Sequence, residues 1–408
     1  MKNTLYNWVW KWHYRAGLIC LPIVVLLSIT GSVYLFKDNY EQSEITAYKT
    51  VEEESDRLTF QEQLAIVQKH WDKAPTAMVL PSKSNEATEF TSGRFSHKSS
   101  VFVSPYSGEI TGQIIQQDTD MYKVRKLHGE LLMGSFGTKI IELVASWLIV
   151  LLITGIYLFW PRGTGLKGFF KIRFKESKRI FYRDVHSVLG FWFSWVILLI
   201  LIGGLPWTDV FGGNYRWVQN QTDAGFSTEW KGFLFKSKKV GNSLILDDFV
   251  AKARDLYLDG TVSIALPKSK QGVYSISNST VNFSEMHMCH FDQYSGELLY
   301  QGNWEDIGLM MKTRLWVMAF HQGQFGLWNF ILVLITSIVL ALISITGILS
   351  YLKRKRKVVR KRIYPSFQLN KVLLLIVVML GILLPMFGLS VLLIFVIEQI
   401  KRKKLSKN

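Results

Sequence analysis

Cysteine is nearly absent: 408 residues hold Cys20 and Cys289 and no others. Two thiols cannot build a disulfide framework or a C-x-x-C metal site, and without a C-x-x-C-H motif no c-type haem can be attached. Acidic side chains are missing where basic ones crowd. Residues 1–15 carry Lys2, Lys11 and Arg15 with no acid, and 353–371 carries nine basic residues with none. Charge of either sign is absent from Ala16–Phe36, Leu143–Trp160, Val185–Thr208, Leu315–Leu352 and Val372–Ile397, each at least 18 residues long. A bilayer core takes ~20 apolar residues per helix, so these runs exclude a soluble chain and a disordered one. The first run offers no A-x-A cleavage motif, and its 21 residues exceed the ~7–15 of a signal peptide. A retained anchor is expected.

The formal net charge of +17 would suit nucleic acid, but its placement argues for a membrane instead. Loop 161–184 has eight basic residues against Glu176 and Asp184, whereas 37–127 has 11 basic against 14 acidic and 209–314 has 11 against 12. Short Lys/Arg-rich loops stay cytoplasmic. The expected topology therefore has a cytoplasmic N-terminus and transmembrane helices over 1–36, 128–160, 185–208 and 315–352. Segments 37–127 and 209–314 lie outside, and basic loops 161–184 and 353–371 lie inside. Segment 372–408 is either a fifth span or a re-entrant hairpin, since one crossing would leave Lys401–Lys404 outside.

A long repeat runs through the chain. Trp12-His13 precedes Gly17 as Val185-His186 precedes Gly190, and Gly31 and Gly204 each follow their histidine by 18 residues. Leu127-His128-Gly129 and Phe320-His321-Gln322-Gly323 precede Thr154-Gly155 and Thr346-Gly347. Leu58–His70 and Leu246–Leu258 read as amphipathic helices, with strand-like Thr76–Leu80 and Thr261–Leu266 after them. Tyr-Ser-Gly-Glu closes a hairpin in each half, at 106–109 and 294–297. The fold class is a multi-pass α-helical membrane protein, internally duplicated as a parallel repeat, with two small α+β outer domains.

Four of the eight histidines occupy equivalent places in this repeat. A pseudo-dyad would pair His13 with His186 on the inner side and His128 with His321 on the outer side. One pair per face is what two bis-histidine b-type haems require, because haem brings four donors of its own and needs two more. Zinc would want about four protein ligands and finds no carboxylate or thiol beside either pair. Gly17, Gly129, Gly190 and Gly323 would let a flat macrocycle approach the backbone. Arg15, Arg125, Arg183 and Arg314 stand near the same boundaries as candidate propionate partners. Of the rest, His70 and His97 read as solvated. Met286-His-Met-Cys-His290 contains soft ligands suited to copper but aligns with an ordinary strand of the first half.

Together, the boundary histidines, the Thr-Gly helix ends, Trp160-Pro161-Arg162, the Tyr-Ser-Gly-Glu hairpins and Leu384-Pro385-Met-Phe-Gly388-Leu-Ser390 resemble the PepSY-associated transmembrane family, the iron-regulated PiuB-type membrane proteins. The resemblance covers roughly residues 5–355. Trp12 and Phe320 replace the usual leucine before the first and last histidines, and Gly203-Gly204 stands where Thr-Gly is common. The resemblance implies a bacterial inner-membrane protein with two periplasmic PepSY-like domains, similar to haem-containing reductases of ferric siderophores. No flavodoxin-reductase domain is expected after the last basic loop, so a cytoplasmic or quinone electron donor must be separate.

The expected activity is transmembrane electron transfer that reduces a ferric siderophore at the outer face, with Trp207, Tyr215, Trp217 and Trp304 as candidate contacts for the chelate. Two other classes remain open. A PepSY-type binding or regulatory protein would carry no redox cofactor. A siderophore transporter would need polar groups within its spans, for which Glu142 is the nearest candidate.

Overall fold

The computed structural model describes residues 2–93, 97–161, 165–354 and 371–405. Arg162 and most of the basic loop 353–371 lie outside the described residues. The helices are α1 (Lys2–Tyr34), α2 (Lys37–Lys49), α3 (Phe60–His70), α4 (Asp120–Glu130), α5 (Gly134–Phe159), α6 (Lys178–Gly204), α7 (Val210–Gln221), α8 (Leu246–Asp255), α9 (Leu309–His321), α10 (Leu327–Leu352), α11 (Lys371–Leu383) and α12 (Pro385–Leu405). The strands are β1 (Ala77–Val79), β2 (Thr88–Ser92), β3 (Ser99–Val103), β4 (Ile110–Ile115), β5 (Thr261–Ala265), β6 (Val273–Ser279), β7 (His287–Asp292) and β8 (Leu298–Asn303). They divide into two compact units. One comprises 1–35, 124–217 and 314–408; the other comprises 36–123 and 218–313.

Among the described residues, four helices of the helical unit are long and apolar enough to cross a membrane. At 1.5 Å per residue, the 26 residues of α5 and of α10 each reach about 39 Å, more than the ~30 Å of a bilayer core. Burial in α10 is inverted relative to a soluble helix. Ile331, Ile335, Ile338, Leu342 and Ile345 stay exposed on one stripe, while Asn329, Thr336 and Thr346 are buried with Val333 and Val339. Only a surrounding solvent as apolar as isoleucine makes that arrangement favourable. On α1 the one-turn series Ala16, Cys20, Val24 packs against Val144 and Leu151 of α5.

Two expected spans are each broken in two. Hydropathy alone cannot reveal a backbone turn, so 128–160 and 315–352 read as continuous. Instead α4 ends and α5 begins across Leu131, Leu132 and Gly134 at φ of 50°, 58° and 58°. Gly323 (φ 70°) and Gly326 (φ 89°) separate α9 from α10. The Asn329 side chain holds that second turn, accepting from Phe325 N at 3.1 Å and donating to Phe320 O at 3.2 Å. His128 and His321 consequently sit at the ends of the short helices α4 and α9, not within spans.

Segment 372–397 is no single helix. The chain reverses at Leu384, and Gly381 and Gly388 then touch so closely that a Cβ on Gly388 would lie 2.5 Å from Gly381 O. The resulting α11–α12 hairpin has the form of the re-entrant alternative. It docks on α5 through Phe387 against Trp147 (4.9 Å between rings) and a 3.0 Å bond from Trp147 Nε1 to Ser390 Oγ.

The second unit corrects the expectation of two separate α+β domains. Its eight strands form one antiparallel sheet in the order β4-β3-β2-β1-β5-β6-β7-β8. The four-strand series join edge to edge where Met78 pairs with Ile264, both fully buried. Either series alone would leave an edge strand with unpaired backbone groups, and each edge satisfies the other. Helices α3 and α8 supply Leu64, Val67, Phe249 and Val250 to the core against Phe90, Val101, Ile276 and Cys289. The two Tyr-Ser-Gly-Glu turns form as expected, with Gly108 at φ 72° and Gly296 at φ 68°.

The N-termini of α3 and α8 cap one another. Asp247 accepts from Phe60 N and Gln61 N at 2.9 Å each, and Gln61 Oε1 accepts from Leu246 N at 3.0 Å. Orphan donors of one helix start are thus met by a side chain from the other. Asp247→Ala is expected to cost about 1–2 kcal/mol. Hydrogen exchange on the intact chain checks this: amides of the first turn of α3 should lose protection, while those of α5 keep theirs.

Candidate functional site: two histidine pairs

The repeat-equivalent histidines meet in the expected pairs. His13 of α1 faces His186 of α6 with ring centres 6.3 Å apart and planes at 83°. His128 of α4 faces His321 of α9 at 6.2 Å and 66°. Thr30, which bonds His128, lies 17 residues beyond His13 on α1, so the pairs stand about 25 Å apart along that helix.

Every ring has one nitrogen engaged, and it is always Nδ1. His13 Nδ1 meets Thr154 Oγ1 at 2.9 Å, and His128 Nδ1 meets Thr30 Oγ1 at 3.0 Å. His186 Nδ1 meets Ile343 O at 2.8 Å, and His321 Nδ1 meets Ile200 O at 2.7 Å. The two carbonyls can only accept. The two hydroxyls spend their own protons within their helices, Thr154 on Val150 O at 2.7 Å and Thr30 on Leu26 O at 2.8 Å, so they accept as well. All four imidazoles therefore carry the proton on Nδ1 and present a bare Nε2. Orienting a ligating histidine through its second nitrogen is the usual outer shell of a metal centre.

The spacing has a chemical meaning. A ring nitrogen binds a first-row metal at ~2.0–2.1 Å and lies roughly 1.1 Å from its ring centre, so two rings across one ion sit about 6.3 Å apart. Both pairs match this value. Among the described residues no group of three or more His, Cys, Asp or Glu could hold a metal. Two protein donors per centre therefore suit a metal that arrives with in-plane donors of its own. The rings keep part of their surface open, and three of the four expected close-approach glycines have space beside them; the exception is Gly323, where a Cβ would lie 3.0 Å from Phe330 Cα. A Cβ on Gly129 or Gly190 would meet nothing within 4 Å, and one on Gly17 only Leu151 at 3.9 Å.

Residues that fix the rings are less visible from sequence. Thr30 and Thr154 belong to the Thr-Gly pairs that mark the repeat, yet spacing alone assigns them no role. The glycines of the same motifs seat the imidazoles. An added Cβ would lie 3.0 Å from His186 at Gly347, 3.1 Å from His128 at Gly31 and 3.3 Å from His13 at Gly155, whereas at Gly204 it would meet His321 at an ordinary 3.5 Å. Ile200 and Ile343 contribute only carbonyls, which leave no side-chain signal.

The four candidate arginines differ in surroundings. Arg15 lies over Trp12, 5.7 Å from its ring centre. Arg183 bonds Asp184, which Arg173 grips with Nε and Nη2 at 2.8 Å each. Arg125 is half-buried in α4, and Arg314 is buried over Trp207. Glu142 is fully buried, and its carboxylate accepts from Val210 N and Phe211 N at 2.9 and 3.0 Å, capping α7. That bonding gives it a structural task and leaves a transport path without its nearest polar candidate. In Met286–His290, Cys289 belongs to the sheet core. His290 is buried with Nδ1 at 2.8 Å from Ser275 Oγ and Nε2 at 3.1 Å from two carbonyls, and it stacks on Tyr300. The two residues point to opposite faces, as an ordinary strand requires. Trp304 lies in the sheet-bearing unit, stacked on Phe283.

Long apolar helices and four histidines brought together in two facing pairs, together with an α+β unit, define a membrane protein. The chain belongs to the PepSY-associated TM region family, whose profile matches residues 10–354. No curated protein matches it.

Proposed function

We propose that the chain is a di-haem electron-transfer protein of the bacterial inner membrane that reduces ferric siderophore iron on the periplasmic side. The observation that carries this reading is the pair of ring spacings, 6.3 and 6.2 Å, each with both Nε2 atoms left bare. When bound, haem supplies one-electron redox chemistry and four of the six donors to its iron. The chain's own residues supply the remainder. His13 and His186 would ligate at the inner centre, and His128 and His321 at the outer one. Thr154, Thr30 and the carbonyls of Ile343 and Ile200 hold the rings in the ligating tautomer. Arg15, Arg125, Arg183 and Arg314 are the candidate propionate partners.

The symmetric sheet and the matching histidine spacings support descent from a duplicated unit. The basic loop 161–184 supports a cytoplasmic N-terminus and, with it, a periplasmic position for the His128/His321 pair. Reduction suits iron release because Fe(II) is a softer ion than Fe(III) and is held less firmly by hard oxygen donors. A cytoplasmic protein or a quinone would supply the electrons.

The test is an absorption spectrum of the detergent-purified chain before and after dithionite. Two low-spin b-type haems per chain are expected, and both should be reduced by dithionite. Colourless protein from haem-replete cells would reject the reading in favour of a PepSY-type binding protein.

A further inference from the structure

One cation of the helical unit is buried without an acid. Arg314 in α9 is 7 % exposed, and its Nε has no hydrogen-bond partner. Among the described residues no carboxylate forms an ion pair with it. Its guanidinium lies 4.1 Å from the centre of the Trp207 ring. Stacking satisfies the face of the group, but the donors of a guanidinium lie in its plane, and among them the buried Nε meets no acceptor. The nearby Arg216 aggravates the burial: desolvation first, then the Arg216 charge, pushes the Arg314 pKa down, while Tyr215 opposes this.

A purely structural arginine would turn its head to water or to a carboxylate. The fold does not call for a guanidinium at this place either. Arg314 precedes His321 by seven residues, and seven residues before His128 stands Met121, also 7 % exposed. One half of the chain thus buries an apolar side chain where the other buries an unpaired cation.

We propose that Arg314, with Arg216 and Tyr215, forms a binding site for a carboxylate. Trp207 holds the guanidinium plane, and its edge offers the parallel donors that a carboxylate takes in a fork. Two sources share this chemistry. Arg314 and His321 lie on one face of α9, about 10.5 Å apart along its axis, so a porphyrin propionate is one source. That source rests on the haem reading. The other is a carboxylate of an arriving ferric chelate, which would pass Trp207 and Trp217, 41 % and 64 % exposed. It does not depend on haem.

Two titrations of the full-length chain in nanodiscs, wild type against Arg314→Gln, separate these sources. In the first, haem and its dimethyl ester are added to protein produced without haem. A propionate site makes the wild type prefer the free acid by roughly 10–100-fold, and the variant's preference falls at one of the two haems while the other keeps it. In the second, ferric citrate and an uncharged ferric trihydroxamate are added. A chelate site weakens citrate by a similar factor in the variant and leaves the trihydroxamate unchanged. If a monodisperse Arg314→Gln protein treats all four probes as the wild type does, the site is overturned. Should that variant aggregate, Arg216→Gln and Tyr215→Phe decide: a loss of roughly threefold in the same arm supports the site, and wild-type binding in both variants overturns it. Failure of the chain to take up haem at all would reject the haem reading, and the citrate arm would still decide this one.

Discussion

His321→Ala is expected to remove one haem of two, leaving the other spectroscopically unchanged. In the proposed di-haem reading, ligation between His128 and His321, the outer pair of that reading, would depend on both rings. His128 alone, even held by Thr30, would offer a single ligating nitrogen, and the alanine would leave a void where the second imidazole stood. His128→Ala should empty the same centre. The double variant should then be no worse than either single one, because the two side chains act on a single ion and their effects cannot add. His13→Ala and His186→Ala should repeat the pattern at the other centre. The measurement is the haem-to-protein ratio by pyridine haemochrome, with the dithionite-reduced spectrum recorded for each variant. Purely structural histidines would give a different result: stability losses of about 1–3 kcal/mol with no change in the ratio. A ratio that falls together for His13→Ala and His321→Ala, as though they shared a centre, would break the assigned pairs.

The pairs were legible in the sequence because the histidines and the repeat are both written in side chains. A histidine four residues before a glycine, found twice, and a Thr-Gly or Gly-Gly pair at matching distance, mark equivalent helices without any coordinates. What escaped was carried by backbone. The break at Gly323–Gly326 lies inside a charge-free run, and at Leu131–Leu132, just after Glu130, two leucines adopt the positive φ usually left to glycine. Nothing in a hydropathy pattern separates one long helix from two joined by a tight turn. The merging of two expected domains into one sheet was hidden for a related reason. Strand β1 is three residues long, and its pairing with β5 is a contact between segments nearly 190 residues apart. The repeat itself held a hint, since two identical series with complementary open edges are natural partners. Carbonyl acceptors such as Ile200 O and Ile343 O leave no mark in sequence at all. The buried Arg314 was visible as a boundary arginine, but its missing counter-charge could be recognised only once the neighbours were in place.

The sharpest steric test lies in two adjacent glycines near the end of α6. At Gly203 an added Cβ would sit 2.5 Å from Val317 O and 2.8 Å from His321 Cβ. Neither atom can swing aside, since one is backbone and the other is fixed to it. Gly203→Ala must therefore push α9 away from α6, moving His321 off Ile200 O and opening the outer pair. Overpacking of this kind costs about 1–3 kcal/mol when side chains can yield, and a backbone obstacle places the expected loss at the upper end or beyond. At Gly204 the nearest atom to an added Cβ is His321 Cε1 at 3.5 Å, an ordinary contact. Both residues belong to α6, so Gly204→Ala also gains up to ~1 kcal/mol of helix propensity. Gly204→Ala should melt within a degree or two of the wild type and keep its full haem ratio. Gly203→Ala should melt far lower and lose the outer haem first. Thermal midpoints in detergent, followed by the Soret band, would compare them directly. Equal behaviour of the two variants would mean that α6 and α9 do not approach through Gly203, and the seat of His321 would have to be redrawn.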